Sequence, residues 1–412
     1  MLPHTTLSLD WLYFLQMQHL TTNPNILYFQ SGGPTSAINA SFLGLVETYR
    51  SLGLKGHVYV SRYGVSGLLN GELEEIDLDN PPDITYRPGS YFGSLRLKLE
   101  DNPNGEQALA IIDTLKKYHI DFIFPNGGND SMDTALKLSS LVAHHDLSTK
   151  VVGIPKTIDN DLFGCDHTPG FGTAAKYVIN ATVSVALDDL TYQQGRVNII
   201  ETMGRDSGFL AASSKLACLR GVGPDYIYVP EVPFEAESFL PKCKKTYLEK
   251  GRCLVVVSEG IRDKQGNLIA SSSSKDQFGH HQVGGVSSYL AGLLQQEGLK
   301  SRAIELSVLN RASSFLPSNQ DIQEAKEVAG EALKAALEGK SACMVCLKRV
   351  NDSPYEVSYE AVDIKEIANR VVYLPRKYIN EAGDNILDSY IPYCLPLIQG
   401  NAVPLGEDGI LG

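Results

Sequence analysis

The feature that most constrains this chain is a recurring unit. A short unbroken apolar run leads into a loop rich in glycine or charge, and then into a segment with helical periodicity. "NILYF" (Asn25–Phe29) leads into "QSGGPTSA" and a helical pattern from about Ala37 to Tyr49. "DFIFP" (Asp121–Pro125) leads into "NGGND" and a helical pattern from about Ser131 to Val142. Further apolar runs are Lys150–Ile154, Val197–Glu201 and Leu254–Glu259. Strands that are apolar on both faces and alternate with helices predict an α/β fold with a parallel sheet covered on both sides. At 412 residues the chain is long enough for two such domains.

Composition narrows the partners. The formal net charge of −12 argues against nucleic acid or an anionic membrane, both of which reward basic surfaces. It leaves room for a small anionic substrate in a cleft where a few cations concentrate. Of seven cysteines, only Cys343 and Cys346 form a CxxC. They sit in the apolar run "ACMVCL" with no second pair to complete a zinc site, so they read as reduced structural thiols in a reducing cytoplasm. The apolar patch Trp11–Leu20 lacks a basic leader and is too short to span a bilayer, so residues 1–24 read as a peripheral extension. No other stretch approaches membrane-spanning length, and "SSSS" at 271–274 reads as a surface loop.

In open parallel sheets ligands collect at the carboxyl ends of strands, and this chain places its unusual residues there. Gly32 and Gly33 lie between a strand and a helix, where backbone N–H groups can seat a phosphate. No Gly-Lys-Ser/Thr follows and no GxGxxG opens a helix, so neither a Walker A loop nor a dinucleotide fingerprint is present. The Gly127–Ser131 loop repeats the design but carries Asp130. Asp130 either caps the helix starting near Ser131 or sits beside a phosphate. Two like charges ~4 Å apart repel by ~1–4 kcal/mol, so the second reading needs a cation between them. Lys156, at a neighbouring strand end in "VVGIPKTIDNDL", can supply it.

In the same loop, Asp159 can accept the proton of a phosphoryl acceptor, while Thr157 can donate to the transferred group and Asp161 can orient the base or a metal-bound water. The alternative is an Asx-turn loop without chemistry. Arg196, Arg205, Arg302 and Arg311 bracket two apolar segments and suit a phosphorylated substrate, although each alone is more often a surface ion pair. Glu259 ends "LVVVSE", where it can bond sugar hydroxyls or be an ordinary strand-end acid.

The order "SGGPTSAINA", "GSLR" (Gly93–Arg96), "NGGNDS", "GIPKTIDND", "DHTPGFGTAAK", "ETMGRDSGFLAA" and "EG" (Glu259–Gly260) resembles the phosphofructokinase family over roughly residues 25–380. "FGHHQVGG" and "SRAIELSVLNR" are similar to its later motifs. The resemblance sharpens to the family's pyrophosphate-dependent members, which share an aspartate and a lysine at Asp130 and Lys156 where ATP users typically have glycine. It implies two Rossmann-like three-layer α/β/α lobes with the site between them. One lobe, for the pyrophosphate donor, is expected at 25–173 plus about 312–355. The other, for the sugar phosphate, is expected at 174–311 plus about 356–398, with 399–412 as a tail.

The implied reaction is reversible phosphoryl transfer from pyrophosphate to fructose 6-phosphate with Mg²⁺, the alternatives being an ATP-dependent 6-phosphofructokinase or a non-catalytic regulatory paralogue. Asp159 would be the base, and Lys156 and Asp130 would set the donor with Gly33 and Gly128 beside it. Thr157, Ile158, Met203, Gly204, Arg205, Glu259, Tyr373 and Arg376 would line the sugar phosphate. Arg196 and Arg302 would reach a neighbouring subunit's sugar phosphate, which implies a homodimer or homotetramer. Asn129 departs from the usual magnesium aspartate, so Mg²⁺ is expected on Asn129, Asp130 and the donor's oxygens. His167, His280 and His281 read as structural.

Overall fold

The computed structural model describes residues 23–95, 97–275 and 281–401. Most of the 1–24 extension, Arg96 of the "GSLR" motif, His280, the side chain of His281 and the tail beyond Asn401 lie outside the described residues.

In chain order the strands are β1 (Asn25–Gln30), β2 (Val58–Val60), β3 (Glu74–Glu75), β4 (Ile120–Gly127), β5 (Lys150–Pro155) and β6 (Val197–Thr202). They continue with β7 (Tyr226–Tyr228), β8 (Cys253–Ser258), β9 (Ser271–Lys275), β10 (His281–Val283), β11 (Ser301–Glu305), β12 (Cys343–Asp352) and β13 (Tyr355–Asp363). A seven-stranded sheet has the order β13-β12-β5-β4-β1-β2-β3, and a four-stranded sheet the order β11-β6-β8-β7. The interior pairs of the larger sheet are parallel, and only its edge strands β3 and β13 run antiparallel. The smaller sheet is parallel throughout.

Both sheets are covered on both faces, as continuous apolar strands require. Ile26 and Tyr28 of β1 face the helices Ser36–Ser51 and Asn319–Leu337, packing with Phe42, Leu45, Val328 and Leu333. Leu27 and Phe29 face the helices Glu106–Lys117 and Asn129–His144 through Ile111, Leu115 and Leu138. In the second lobe Ile200 and Val256 pack on helix Phe171–Leu190, while Ile199 and Val255 pack on helices Ala236–Lys250 and Val286–Gln296. The fold is the expected pair of three-layer α/β/α lobes. Among the described residues no helix is long and apolar enough to cross a membrane.

Two local readings change, and the reading of the CxxC as structural thiols holds. β13 extends the first sheet through Asp363, and Ile364 and Ile367 join that lobe's core. The first lobe therefore runs past the boundary expected near residue 355, because the β12–β13 hairpin folds back onto its own sheet. "SSSS" is not a loop but most of β9, paired with β10, since cross-strand pairing rather than composition holds it. Cys343 and Cys346 belong to cores on opposite faces of the larger sheet, three positions apart on one strand. They cannot clamp one metal together, and both are free thiols.

Candidate active site

The carboxyl ends of β1, β4 and β5 lie level, with Gln30 beside Asn126 and Gly127 beside Pro155. Backbone bonds then stitch their loops together: Ser31 N donates to Asn126 O at 2.9 Å and Lys156 N to Gly127 O at 3.0 Å. The approach at Gly127 admits only glycine, because a Cβ there would stand 2.0 Å from Ser131 Oγ and 2.7 Å from Ser31 O. Gly32 has φ +81°, the left-handed region that glycine adopts without steric cost. Lys156 is 2% exposed, and its Nζ donates to Gly33 O at 2.6 Å. The ammonium therefore lies against the Gly32–Gly33 turn, where it is delivered from a different strand.

The opposite wall comes from the carboxyl ends of the second sheet. Met203, Arg205 and Asp206 follow β6, Glu259 follows β8, and Arg311 lies just beyond β11. Arg311 reaches back across the cleft, its Nη1 3.2 Å from where a Cβ of Gly33 would be. Ser207 Oγ donates to Asp159 O at 3.1 Å, tying the base loop of one lobe to the other lobe. The cleft between these walls, open to solvent on one side, has a cavity volume of about 360 Å³. Asn369 and Val371 complete its wall, on a segment held by Val372 N donating to Asp161 O at 2.8 Å.

Burial sets the charge balance. Burial raises the Asp159 carboxyl, Arg205 opposes that, Asp206 adds to it, and Lys156 and Arg311 oppose it again. Burial and then the Asp159 charge push Asp161 up to about 7. Burial, with Asp159 and Glu201 nearby, pushes Glu259 up to about 8. Such crowded acids want hydrogen-bond donors or a cation. The cavity wall also carries buried oxygens without a hydrogen-bond partner among the described residues: Thr35 Oγ1, Ser131 Oγ and Asn129 Oδ1. Unpaired buried oxygens are costly unless a ligand meets them.

The structure brings most of the expected residues into one cavity: Gly33, Gly128, Asn129, Asp130, Lys156, Thr157, Ile158, Asp159, Met203, Arg205 and Glu259 all line it. Asp130 is not a cap. The helix starts at Asn129 after Gly128, so Asp130 lies within its first turn. Gly204 shapes the turn between Met203 and Arg205 behind the wall, its carbonyl accepting from Ser258 Oγ. Tyr373 is exposed outside the cavity. Arg376 is also outside: its guanidinium bonds the carbonyls of Ile379, Asn380 and Glu381, left open by the adjoining short 3₁₀ turn.

Arg196 and Arg302 sit at the amino ends of β6 and β11. The cavity lies at the carboxyl ends of those strands, roughly 15–20 Å away at the usual rise per residue, so they cannot serve their own site. Asp161 and Arg311, read from the sequence as an orienting acid and a phosphate-suited cation, also line the cavity. Residues that sequence reasoning left out of the site are Thr35, Ser131, Asp206, Asn369 and Val371. The loops around the motifs signalled the first three.

Among the described residues no cluster of three or more His, Cys, Asp or Glu side chains could hold a metal by itself. The donor set suits a hard cation that takes one or two protein oxygens and fills its shell with substrate phosphate and water. Among the described residues Asn129 Oδ1 has no hydrogen-bond partner, and Asn129 Nδ2 donates to Asp161 Oδ2 at 3.3 Å, so an amide and a carboxylate that could share such a cation are neighbours.

The sequence profile of the phosphofructokinase family matches residues 25–336. The pyrophosphate–fructose 6-phosphate 1-phosphotransferase of Halomonas elongata is 36% identical over 395 residues, 94% of each chain. That of Xanthomonas campestris pv. campestris is 37% identical, covering 94% of this chain and 95% of its own. The crystal structure of the pyrophosphate-dependent phosphofructokinase from Marinobacter aquaeolei superposes with a TM-score of 0.82 at 34% identity, covering 94% of both chains. Two facing α/β lobes, the cleft between their strand ends and this likeness along nearly the whole length have one explanation: the chain belongs to the phosphofructokinase family.

Proposed function

We propose that this chain transfers a phosphoryl group reversibly from pyrophosphate to the 1-hydroxyl of fructose 6-phosphate, giving fructose 1,6-bisphosphate and phosphate. The observation that carries the reading is the buried Lys156 ammonium at Gly33, in the same cavity as Asp159. A cavity volume of about 360 Å³ is within the range of small-molecule sites.

Asp159 takes the proton as the sugar oxygen bonds to phosphorus and the bridging oxygen leaves with the second phosphate. A positioned base contributes typically 10²–10⁴-fold. Lys156, Gly33 and Gly128 hold the diphosphate, and Asp130 faces the end where a nucleoside would begin. Thr157 and Arg311 flank the transferred group. Ile158, Met203, Gly204, Arg205 and Glu259 form the sugar side. Mg²⁺, held by diphosphate oxygens with Asn129, Asp130 and Asp161, would neutralise the phosphoryl oxygens. Tyr373 and Arg376 would join the sugar side only after the 373–376 segment moves inward. Arg196 and Arg302, unable to reach their own cavity, would serve a second copy in a homodimer or homotetramer.

The test is product formation from fructose 6-phosphate with pyrophosphate or ATP at equal Mg²⁺. Turnover with pyrophosphate is expected, and turnover with ATP alone would overturn the donor assignment.

A further inference from the structure

Between the two cavity carboxylates Asp159 and Asp161 stands Asn160, which points the other way. It is 4% exposed, does not line the cavity, and has φ +58°. Outside glycine, asparagine is among the few residues that tolerate this conformation, and then usually through local hydrogen bonds. Asn160 Oδ1 accepts from Thr168 N at 2.9 Å, and Asn160 Nδ2 donates to Tyr393 Oη at 2.7 Å. Thr168 Oγ1 in turn donates to Thr157 O at 2.8 Å, so both ends of the Thr157–Asp161 loop are gripped from behind.

Tyr393 is itself fixed. Its hydroxyl donates to Asp166 O at 2.8 Å, its carbonyl accepts from Arg349 Nη2 at 2.9 Å, and the Arg349 guanidinium lies 4.7 Å from its ring centre. Arg349 Nε also donates to Asp166 Oδ2 at 3.1 Å. That carboxylate meets His167 Nδ1 at 2.8 Å, while His167 Nε2 meets Glu324 Oε2 at 2.8 Å. Tyr355 Oη closes the network on Glu324 Oε1 at 2.5 Å. Arg349 Nη1 also donates to the exposed Asp352 Oδ1 at 3.0 Å, so Arg349 and His167 are tied to three carboxylates in a frame built from the loop before helix Phe171–Leu190, β12, β13, helix Asn319–Leu337 and the C-terminal segment. None of these network residues lines the cavity, so the chemistry does not use them directly.

We propose that Asn160 and Tyr393 are positioning residues, coupling this frame to the base loop so that Asp159 and Asp161 are turned into the cavity together. The inference rests on Asp159 being the base. A buried charge network is well suited to fixing one geometry, because moving any member strands a partner. The tether sets the orientation of the base rather than the affinity for the sugar.

The experiment compares Tyr393→Phe, which removes only the hydroxyl, with Asn160→Gly, which keeps the left-handed backbone accessible. Each is expected to lower kcat about 10- to 100-fold, with KM for fructose 6-phosphate within about threefold and near-wild-type thermal unfolding. The double variant should be no slower than the slower single one, since both cut one tether. Amide exchange across residues 157–162 should speed up in all three. Folded variants with kcat within about twofold of wild type, or with unchanged exchange, would overturn the proposal. A loss of stability alone would overturn it too, reducing the tether to a structural role. If the wild-type chain itself gave no turnover with pyrophosphate, the reaction assignment would fail, and the exchange measurement would still decide the tether.

Discussion

Lys156 Nζ lies 2.6 Å from the carbonyl oxygen of Gly33, so a charge carried on one strand end is delivered to the glycine turn of another. A Cβ on Gly32 would stand only 3.5 Å from that ammonium, so the turn and the lysine fit each other closely. A diphosphate seated on this turn would meet a positive charge already out of water, where electrostatic attraction is strongest. Lys156→Met is therefore expected to lower kcat/KM for pyrophosphate by about 100-fold or more, as loss of a buried phosphate cation does. Lys156→Arg should not restore it, because a planar fork does not fit a site shaped for a compact ammonium. Initial rates against pyrophosphate concentration read this directly. Asp130→Gly combined with Lys156→Gly should weaken pyrophosphate use and open the donor end to ATP. Unchanged donor kinetics would remove both residues from donor choice.

Asp159 is held from two directions, by Thr157 Oγ1 accepting from its N–H at 3.1 Å and by Ser207 Oγ on its carbonyl. Its carboxyl is thereby left to face the cavity. Asp159→Asn keeps the shape and removes the proton acceptor. It should cost kcat about 10²–10⁴-fold while binding of fructose 6-phosphate survives. Titration calorimetry with the sugar phosphate, beside steady-state rates, separates the two effects. A near-normal kcat would take Asp159 out of the base role.

The same carboxyl sets the pH dependence. Burial raises Asp159, Arg205 opposes this, and the Asp206 charge raises it further. The reactive form is the ionised one, so activity is lost as pH falls through the raised value. Asp206→Asn removes one of the raising charges and should move the acid limb of kcat/KM to lower pH. Arg262, whose Nη2 donates to Asp206 Oδ1 at 2.9 Å, loses its ion pair in that variant, but the cavity keeps its other walls. An acid limb that stays in place, or moves to higher pH, would count against Asp159 as the titrating base.

How much of this could be read from the chain depends on what each signal is made of. The strands β1, β4, β5, β6 and β8 announce themselves because both of their faces are apolar, and their loops because phosphate-seating turns need glycine. Lys156 and Asp159 share one short loop, so one local motif carries both. Asn369 and Val371 carry no such mark. They reach the cavity only because the segment after β13 pairs with Leu162 and Val372 bonds Asp161, contacts about 210 residues distant in sequence. Arg311 is similar: it reaches Gly33 only when the two lobes face each other. Arg376 shows the opposite case. Its motif fits, yet the carbonyls it caps are exposed by a turn that only the folded C-terminal segment forms. The helix at Asn129 begins earlier than the pattern suggests, because Gly128 takes the capping position expected of Asp130.

His167 gives a stability prediction of definite sign. Burial pulls the imidazole's proton affinity down, but Glu324 and Asp166 outweigh it and hold the pKa up at about 9 against an ordinary 6.5. A raised basic group stabilises the fold fully below its unfolded value and loses that contribution as pH rises through its folded value. The window is therefore about pH 6.5 to 9, and the shift is worth roughly 3 kcal/mol at most. Glu324 and Asp166 are held below their usual range, burial notwithstanding, and His167 is a main cause for both. Their share behaves oppositely, present above the unfolded carboxylate value near 4 and lost on acidification. The denaturation midpoint of the wild-type protein should fall between pH 7 and pH 9.5. His167→Gln, neutral throughout, should start lower at pH 7 and show little of that alkaline slope. Parallel slopes in the two proteins would mean that the imidazole between Asp166 and Glu324 is uncharged at neutral pH.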